Sequence, residues 1–392
     1  MSEKGIYMDY SATTPVDPLV LRAMLPYFLE KFGNPSSIHV MGRETRQAID
    51  KAREQVAKSI GADPEEIIFT SGGTESDNLG IKGVAYSRKE KGHIITTSIE
   101  HAAVRKTCEH LENEGFEVTY LPVDKHGLVS PDILHKAMRK DTFLVSIIFG
   151  HNEIGTVQDM AALAKVIHNK GALLHTDAVQ AVGKVPVNVK DIGIDLLSLS
   201  GHKIYGPKGI GALYFKKGIQ LTPLQHGGGH EGRVRSGTEN VAAIVGLGEA
   251  MELASARLPK DIAHLQHMRD RLIKGIVKTI SETYLNGHPV RRLPHNVNIR
   301  FAHIIGGKLV RNLDSSGICV STGSACSSKE STASQVLLAI GLKPEEAYGA
   351  LRLTLGRNNT VEEVDKVLEV LPIVIEKMRK KSFIKLESGY AN

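Results

Sequence analysis

Phe143-Leu-Val-Ser-Ile-Ile-Phe149, a helical pattern over 160–170, Ala172-Leu-Leu-His-Thr-Asp-Ala178 and Asp195-Leu-Leu-Ser-Leu-Ser200 follow one another along the chain, and this succession decides the fold. Each apolar run is rich in Ile, Val, Leu or Thr and short enough to be a strand. Further strands are expected at 66–70, 93–97, 117–121 and 209–215, with amphipathic stretches at 102–114 and 131–139 between them. Strand–helix–strand repetition predicts a mostly parallel sheet covered on both faces. After Gly246 the texture changes. A charged helical stretch over 247–279 reads as a connector between lobes. Beyond it, a strand at 296–301, a Gly- and Ser-rich segment at 315–328 and a helix at 361–380 predict a smaller α+β lobe. Residues 382–392 read as a loose end.

Composition narrows the function. The 392 residues are 41% hydrophobic and 23% charged, and apolar segments recur throughout, which excludes a disordered chain. The length predicts two lobes. No apolar run reaches the ~20 residues of a membrane span. The start, Met1-Ser-Glu-Lys-Gly-Ile-Tyr7, lacks a signal peptide's apolar stretch. The excess of 49 Lys+Arg over 43 Asp+Glu is scattered, so it suits small anionic ligands better than a nucleic acid. Three cysteines cannot build a disulfide framework, and a reducing cytoplasmic setting is expected.

In open α/β sheets, ligands bind beyond the carboxyl ends of the strands. Those positions are rich in small and reactive residues here. Thr70-Ser-Gly-Gly-Thr-Glu-Ser-Asp77 follows a strand and opens a helix, which suits a phosphate; it also suits a plain capped turn. It lacks the Gly-Lys-Ser/Thr of a P-loop and the GxGxxG of dinucleotide folds. Asp177 ends a buried strand, where it either caps a turn or meets a cationic ring nitrogen. Lys203, in Ser198-Leu-Ser-Gly-His-Lys-Ile-Tyr-Gly-Pro-Lys-Gly209, has the setting of a Schiff-base lysine, with Ser200 and His202 beside it for a phosphate. Cys326 sits among small residues, as an accessible thiol does, whereas Cys108 and Cys319 read as structural. No CxxC pattern is present, and the two histidines of His226-Gly-Gly-Gly-His230 read as loop residues, so no metal is expected. Arg352 and Arg357 lie on a strand-like alternation, suited to a carboxylate or to an ion pair. Together these groups match pyridoxal 5′-phosphate handling a small amino acid.

The sequence resembles the NifS/IscS-type cysteine desulfurases of the class-V aminotransferase group. The resemblance is carried by Tyr7-Met-Asp-Tyr-Ser-Ala-Thr-Thr-Pro15, Gly33-Asn-Pro-Ser36, the 70–78 segment, Glu100-His101, Asn152-Glu-Ile-Gly155, the 200–209 segment, Arg235-Ser-Gly-Thr238 and Gly323-Ser-Ala-Cys326. It implies a fold-type I pyridoxal-phosphate fold: an α/β domain over 16–257 with a seven-stranded, mostly parallel sheet, and a smaller α+β domain from 1–15 and 258–392 carrying a mobile Cys loop at about 321–334. It implies that Lys203 binds the cofactor covalently and shuttles protons, that His101 stacks on the ring and serves as acid/base, and that Asp177 pairs with the ring nitrogen. Gln180 would bond the ring hydroxyl. Gly73, Thr74, Ser200 and His202 would hold the phosphate, joined by Thr238 of a second subunit. Asn152, which also contacts the cofactor, and Arg352 would bind the carboxylate of L-cysteine, and Cys326 would take its sulfur as a persulfide. Cys326 could also ligate a cluster transiently during transfer. The implied protein is a cytoplasmic homodimer that feeds an IscU-like iron–sulfur scaffold or another thiolation acceptor. A selenocysteine lyase, another class-V enzyme or a sulfur-relay subunit are the alternatives. Three features depart from the pattern: Gly232 and Arg233 stand in reversed order, His151 stands where an Asn is usual, and the tail is short.

Overall fold

The computed structural model describes residues 5–323 and 333–388, with side chains to residue 380. The seven expected strands form one sheet: β1 (Ile67–Thr70), β2 (His93–Thr97), β3 (Glu117–Leu121), β4 (Thr142–Ser146), β5 (Leu173–Asp177), β6 (Leu196–Ser200) and β7 (Gly211–Phe215). Their order is β1-β7-β6-β5-β4-β2-β3. Neighbours run parallel except at β7, which is antiparallel to both β1 and β6. Strands β2, β4 and β6 are buried at every position, so they read as continuous apolar or small-polar runs rather than alternating ones.

Helices close both faces. On one face lie α1 (Val40–Ile60) and the first part of α4 (Val241–Thr279). The His39 imidazole accepts from the Gly42 N–H at the start of α1, and left-handed Gly61 (φ 72°) ends it, so the sequence marks both termini. On the other face, α2 (Gly73–Ser87) and α3 (Ala102–Asn113) pack through Leu79, Ile81, Val104, Cys108 and Leu111.

A second core is built on the antiparallel strands β8 (Thr283–Leu285), β9 (Asn296–Phe301) and β10 (Ala350–Thr354), with β9 in the middle. Helix α5 (Val361–Ser388) packs on it through Val364, Val367 and Leu371. Helix α4 serves both cores. Its Ile244, Leu247 and Met251 enter the first, and its Leu265, Met268, Leu272 and Ile276 enter the second, on either side of Pro259. Met8 also belongs to the second core, and Ile6–Tyr7 pairs in parallel with Ile318–Cys319. These contacts support the division of the chain that we propose, with 16–257 as one domain and 1–15 with 258–392 as the other.

The expected loose end over 382–392 needs correction: α5 runs to Ser388. The cause lies in the sequence. After Pro372 no glycine or proline interrupts the helix until Gly389.

Candidate functional site

Carboxyl ends of β2, β5 and β6 open onto a cavity of about 610 Å³ between the two cores. Gly73, Thr74, His101, Asn152, Asp177, Gln180, Ser200, His202, Lys203 and Arg352 all line it. Thr238 does not: it is exposed and lines a separate cavity with Phe69, Gly209 and Arg235. Cys326 and most of the 321–334 loop lie outside the described residues. The described ends of that loop, Gly323 and Ala333–Ser334, both stand in the cavity wall.

Lys203 follows β6 on a single 3-10 turn, Gly201–Lys203. Its Nζ donates to the Ser11 and Ala12 carbonyls, at 2.6 Å each. The same Ser11 carbonyl accepts from Gln180 Nε2 at 2.9 Å. A second lysine, Lys184, donates from Nζ to the Lys203 carbonyl at 3.1 Å. Burial, reinforced by the Lys203 charge, pushes the Lys184 ammonium down to about 7. Burial and the nearby Lys203, Lys208 and Lys184 charges lower His202 to about 4, so its ring is neutral at physiological pH. Lys203 therefore stands in a cluster of amines and neutral donors.

Acids lie opposite. Asp177 Oδ1 accepts from the Val179 N–H at 2.9 Å, so the turn-cap role considered from sequence is also real. Burial raises the Asp177 carboxyl, while His101 and Lys203 act to lower it. His101 caps α3, its Nδ1 accepting from the Ala103 N–H at 3.2 Å, which leaves Nε2 to carry the proton of a neutral ring. Burial pushes Glu100 up to about 8 and Glu153 up to about 7.

Arg352, on β10, is 2% exposed. It is already paired with Asp9 at 2.7 Å, and its other terminal nitrogen donates to the carbonyls of Asn152 and Gly323, each at 3.2 Å. Its Nε has no hydrogen-bond partner. Arg357 instead stacks on Tyr205 and pairs with Asp17, so of its two readings the ion pair holds.

A phosphorylated pyridine fits these residues. Five buried polar atoms without partners belong to residues of this cavity: Asp77 Oδ1, Glu100 Oε2, Glu153 Oε1, Gln180 Oε1 and Arg352 Nε. Such atoms cost free energy unless a ligand or solvent meets them. The start of α2 offers first-turn N–H groups beside Ser200, and Gly73 has no room for more, since a Cβ there would lie 2.6 Å from Val179 Cγ2.

Two departures noted in the sequence are resolved. His151 is a buried scaffold residue: its Nε2 donates to the Ile99 carbonyl at 2.7 Å and its Nδ1 accepts from the Glu153 N–H at 3.0 Å. Burial lowers its ring to about 4. Gly232 and Arg233 have φ of 62° and 67°, so either order puts one non-glycine residue in the left-handed region. The anchor of that turn is Glu231, which holds Arg53 bidentately and the Phe69 N–H. Sequence reasoning missed Lys184 and Asp9, and quoted Asp77 without giving it a role. Asp9 and Asp77 lie inside the quoted motifs; nothing local marks Lys184.

The family described as Aminotransferase class-V matches residues 6–367. The chain is 55% identical over 380 residues to a protein of Methanosarcina thermophila named cysteine desulfurase IscS, covering 97% of this chain and 94% of that protein. It is 53% identical to the protein of that name from Dictyoglomus turgidum, over 98% of each chain. A solved structure titled NifS-like protein superposes with a TM-score of 0.90 at 41% identity, covering 95% of this chain and 99% of that one.

Proposed function

The chain belongs to the class-V aminotransferase family and is a pyridoxal 5′-phosphate-dependent cysteine desulfurase; from that premise we propose what its own residues do. When bound, the cofactor supplies a ring that draws negative charge away from the substrate Cα. Lys203 would hold it covalently through Nζ, Asp177 would meet its ring nitrogen, Gln180 its hydroxyl, and Gly73, Thr74, Ser200 and His202 its phosphate. Arg352 Nε and Asn152 orient the carboxylate of L-cysteine. Once the amine of L-cysteine has taken its place, the freed Lys203 Nζ would take the α-proton, with His101 Nε2 on hand as a second proton carrier. The Cys326 thiolate then attacks the substrate sulfur. The S–S bond forms as the Cβ–Sγ bond breaks, and the electron pair left on Cβ takes a proton. Lys203 Nζ would then return a proton to Cα, L-alanine leaves, and Cys326 keeps a persulfide.

The observation that carries this reading is the meeting of Lys203, Asp177, Gln180 and Arg352 in one cavity whose wall contains both described ends of the Cys326 loop. Mass spectrometry after exposure to cysteine tests it. The peptide containing Cys326 should gain one sulfur atom, matched by an equal amount of alanine. Sulfur found on Cys108 or Cys319 instead would overturn the assignment.

Phe28, Leu29, Phe32, Ile38 and Val40, close together in sequence, are all exposed, and Thr238 stands outside this subunit's cavity. Both features support a homodimer in which a second copy covers those side chains and supplies its Thr238. The persulfide would pass to an IscU-like scaffold or another sulfur acceptor in the cytoplasm. Among the described residues no helix is long and apolar enough to cross a membrane.

Arg352→Lys should raise KM for cysteine about tenfold or more and change kcat less, because a lysine cannot keep both the Asp9 pair and a contact to the substrate. Steady-state kinetics checks this. An unchanged KM would remove Arg352 from the carboxylate site.

A further inference from the structure

Asp77, the fifth residue of α2 after Gly73-Thr-Glu-Ser, is 1% exposed and stands in the wall of the cavity. One of its oxygens lies within 4.8 Å of ligating atoms of both Asp177 and His101. Oδ1 has no hydrogen-bond partner and sits 3.7 Å from His175 Nε2. His175 cannot neutralise it. Its Nδ1 is bonded to Ser146 Oγ at 2.8 Å and its Nε2 to Ser198 Oγ at 3.1 Å, and full burial drives its ring down to about 3. The Ser198 hydroxyl is the one neutral donor that Asp77 gains.

The other groups facing Asp77 are Glu100 and His101 ahead of α3, and Asp177 on β5. Strands β1 and β4 carry no charged residue, and the buried titratable group of α3, Cys108, is a neutral thiol pushed up to about 12. Two carboxylates this close in a dry site cannot both ionise. Asp177 has the Val179 N–H, His101 and Lys203 to favour its anion; Asp77 has none of these.

We propose that Asp77 is a positioning residue that remains a carboxylic acid, so that the pair's single negative charge rests on Asp177, where the cofactor's ring nitrogen meets it. This inference rests on the cofactor placement proposed above. It assigns a role to a buried acid that the reaction itself does not use.

The test compares Asp77→Asn, a mimic of the neutral acid, with Asp77→Leu. In holo-protein, Asp77→Asn should bind pyridoxal 5′-phosphate within about threefold of wild type and keep the pH midpoint of the visible band. Asp77→Leu should bind it about tenfold or more weakly, since the polar neighbour within 4.8 Å of Asp177 is lost. Asp77→Ser replaces the leucine variant if that one fails to fold. An asparagine variant as impaired as the leucine one would overturn the proposal, because it would mean that Asp77 acts as a charge. Two variants that both match wild type would overturn it as well.

A cofactor-free arm separates this inference from the reading beneath it. A carboxyl raised in the folded state gives stability that is present at low pH and lost as pH rises through its folded value. Apo wild type should therefore lose thermal stability with rising pH more steeply than apo Asp77→Asn. Equal slopes would overturn the proposal. A failure of wild type to develop a visible band would count against the cofactor placement alone.

Discussion

Lys203→Ala should lower sulfide and alanine production by at least about 10³-fold, the scale of losing both a covalent anchor and a proton carrier. Cofactor added to the variant should wash out on gel filtration, whereas wild type should stay yellow. The expectation rests on where the amine stands. Nζ is held by the Ser11 and Ala12 carbonyls within a cavity it shares with Asp177 and His202. Among the described residues no other lysine lines this cavity. Lys184 is buried behind Lys203 and does not line this cavity. Circular dichroism should show an intact fold, because the side chain contributes two hydrogen bonds to loop carbonyls and nothing to either core. Activity within about tenfold of wild type would remove Lys203 from the centre of the mechanism.

Cys326→Ala should bind the cofactor as wild type does and still lose sulfide release by at least about 10²-fold, because proximity of a thiolate is worth that much and more. The split between intact binding and lost turnover is the informative part. The residues proposed to hold the cofactor and the substrate carboxylate, among them Lys203, Asp177, Gln180 and Arg352, line the cavity without Cys326, so binding is expected to survive. The remaining cysteines cannot substitute. Burial raises the Cys108 thiol to about 12, and Cys319 is raised as well by burial and by Asp314 and Asp9. A variant that releases sulfide at the wild-type rate would mean that sulfur leaves without an enzyme persulfide.

The sheet was legible because its strands are short, apolar and separated by helical periods, and all seven expected positions are strands. Their direction was not. Nothing in Gly211–Phe215 distinguishes an antiparallel strand from a parallel one, since burial on both faces gives the same apolar run. The cavity was legible wherever a reactive residue follows a strand, as at Asp177 and Lys203. It was not legible where the partner comes from far away. The Asp9–Arg352 pair spans 343 residues, and no spacing rule reaches across such a separation. Lys184 was invisible for a related reason, because only the folded chain turns its stem inward beside Lys203. The helix through Ser388 was not legible because chain ends fray unless something ties them down, and nothing local in residues 382–388 says that the helix continues.

Residues 8–14 run as a strap through the middle of the molecule. Met8 is in the smaller core, Asp9 grips Arg352, the Ser11 carbonyl receives Lys203 and Gln180, and Thr14 bonds the His202 carbonyl and the Tyr205 N–H. A purification handle fused ahead of Met1 therefore begins only about ten residues, at roughly 3.4 Å each, from Ser11 at the reaction chamber. Preparations bearing different leaders can melt alike and yet turn over at different rates, so laboratories comparing them should cleave the handle first.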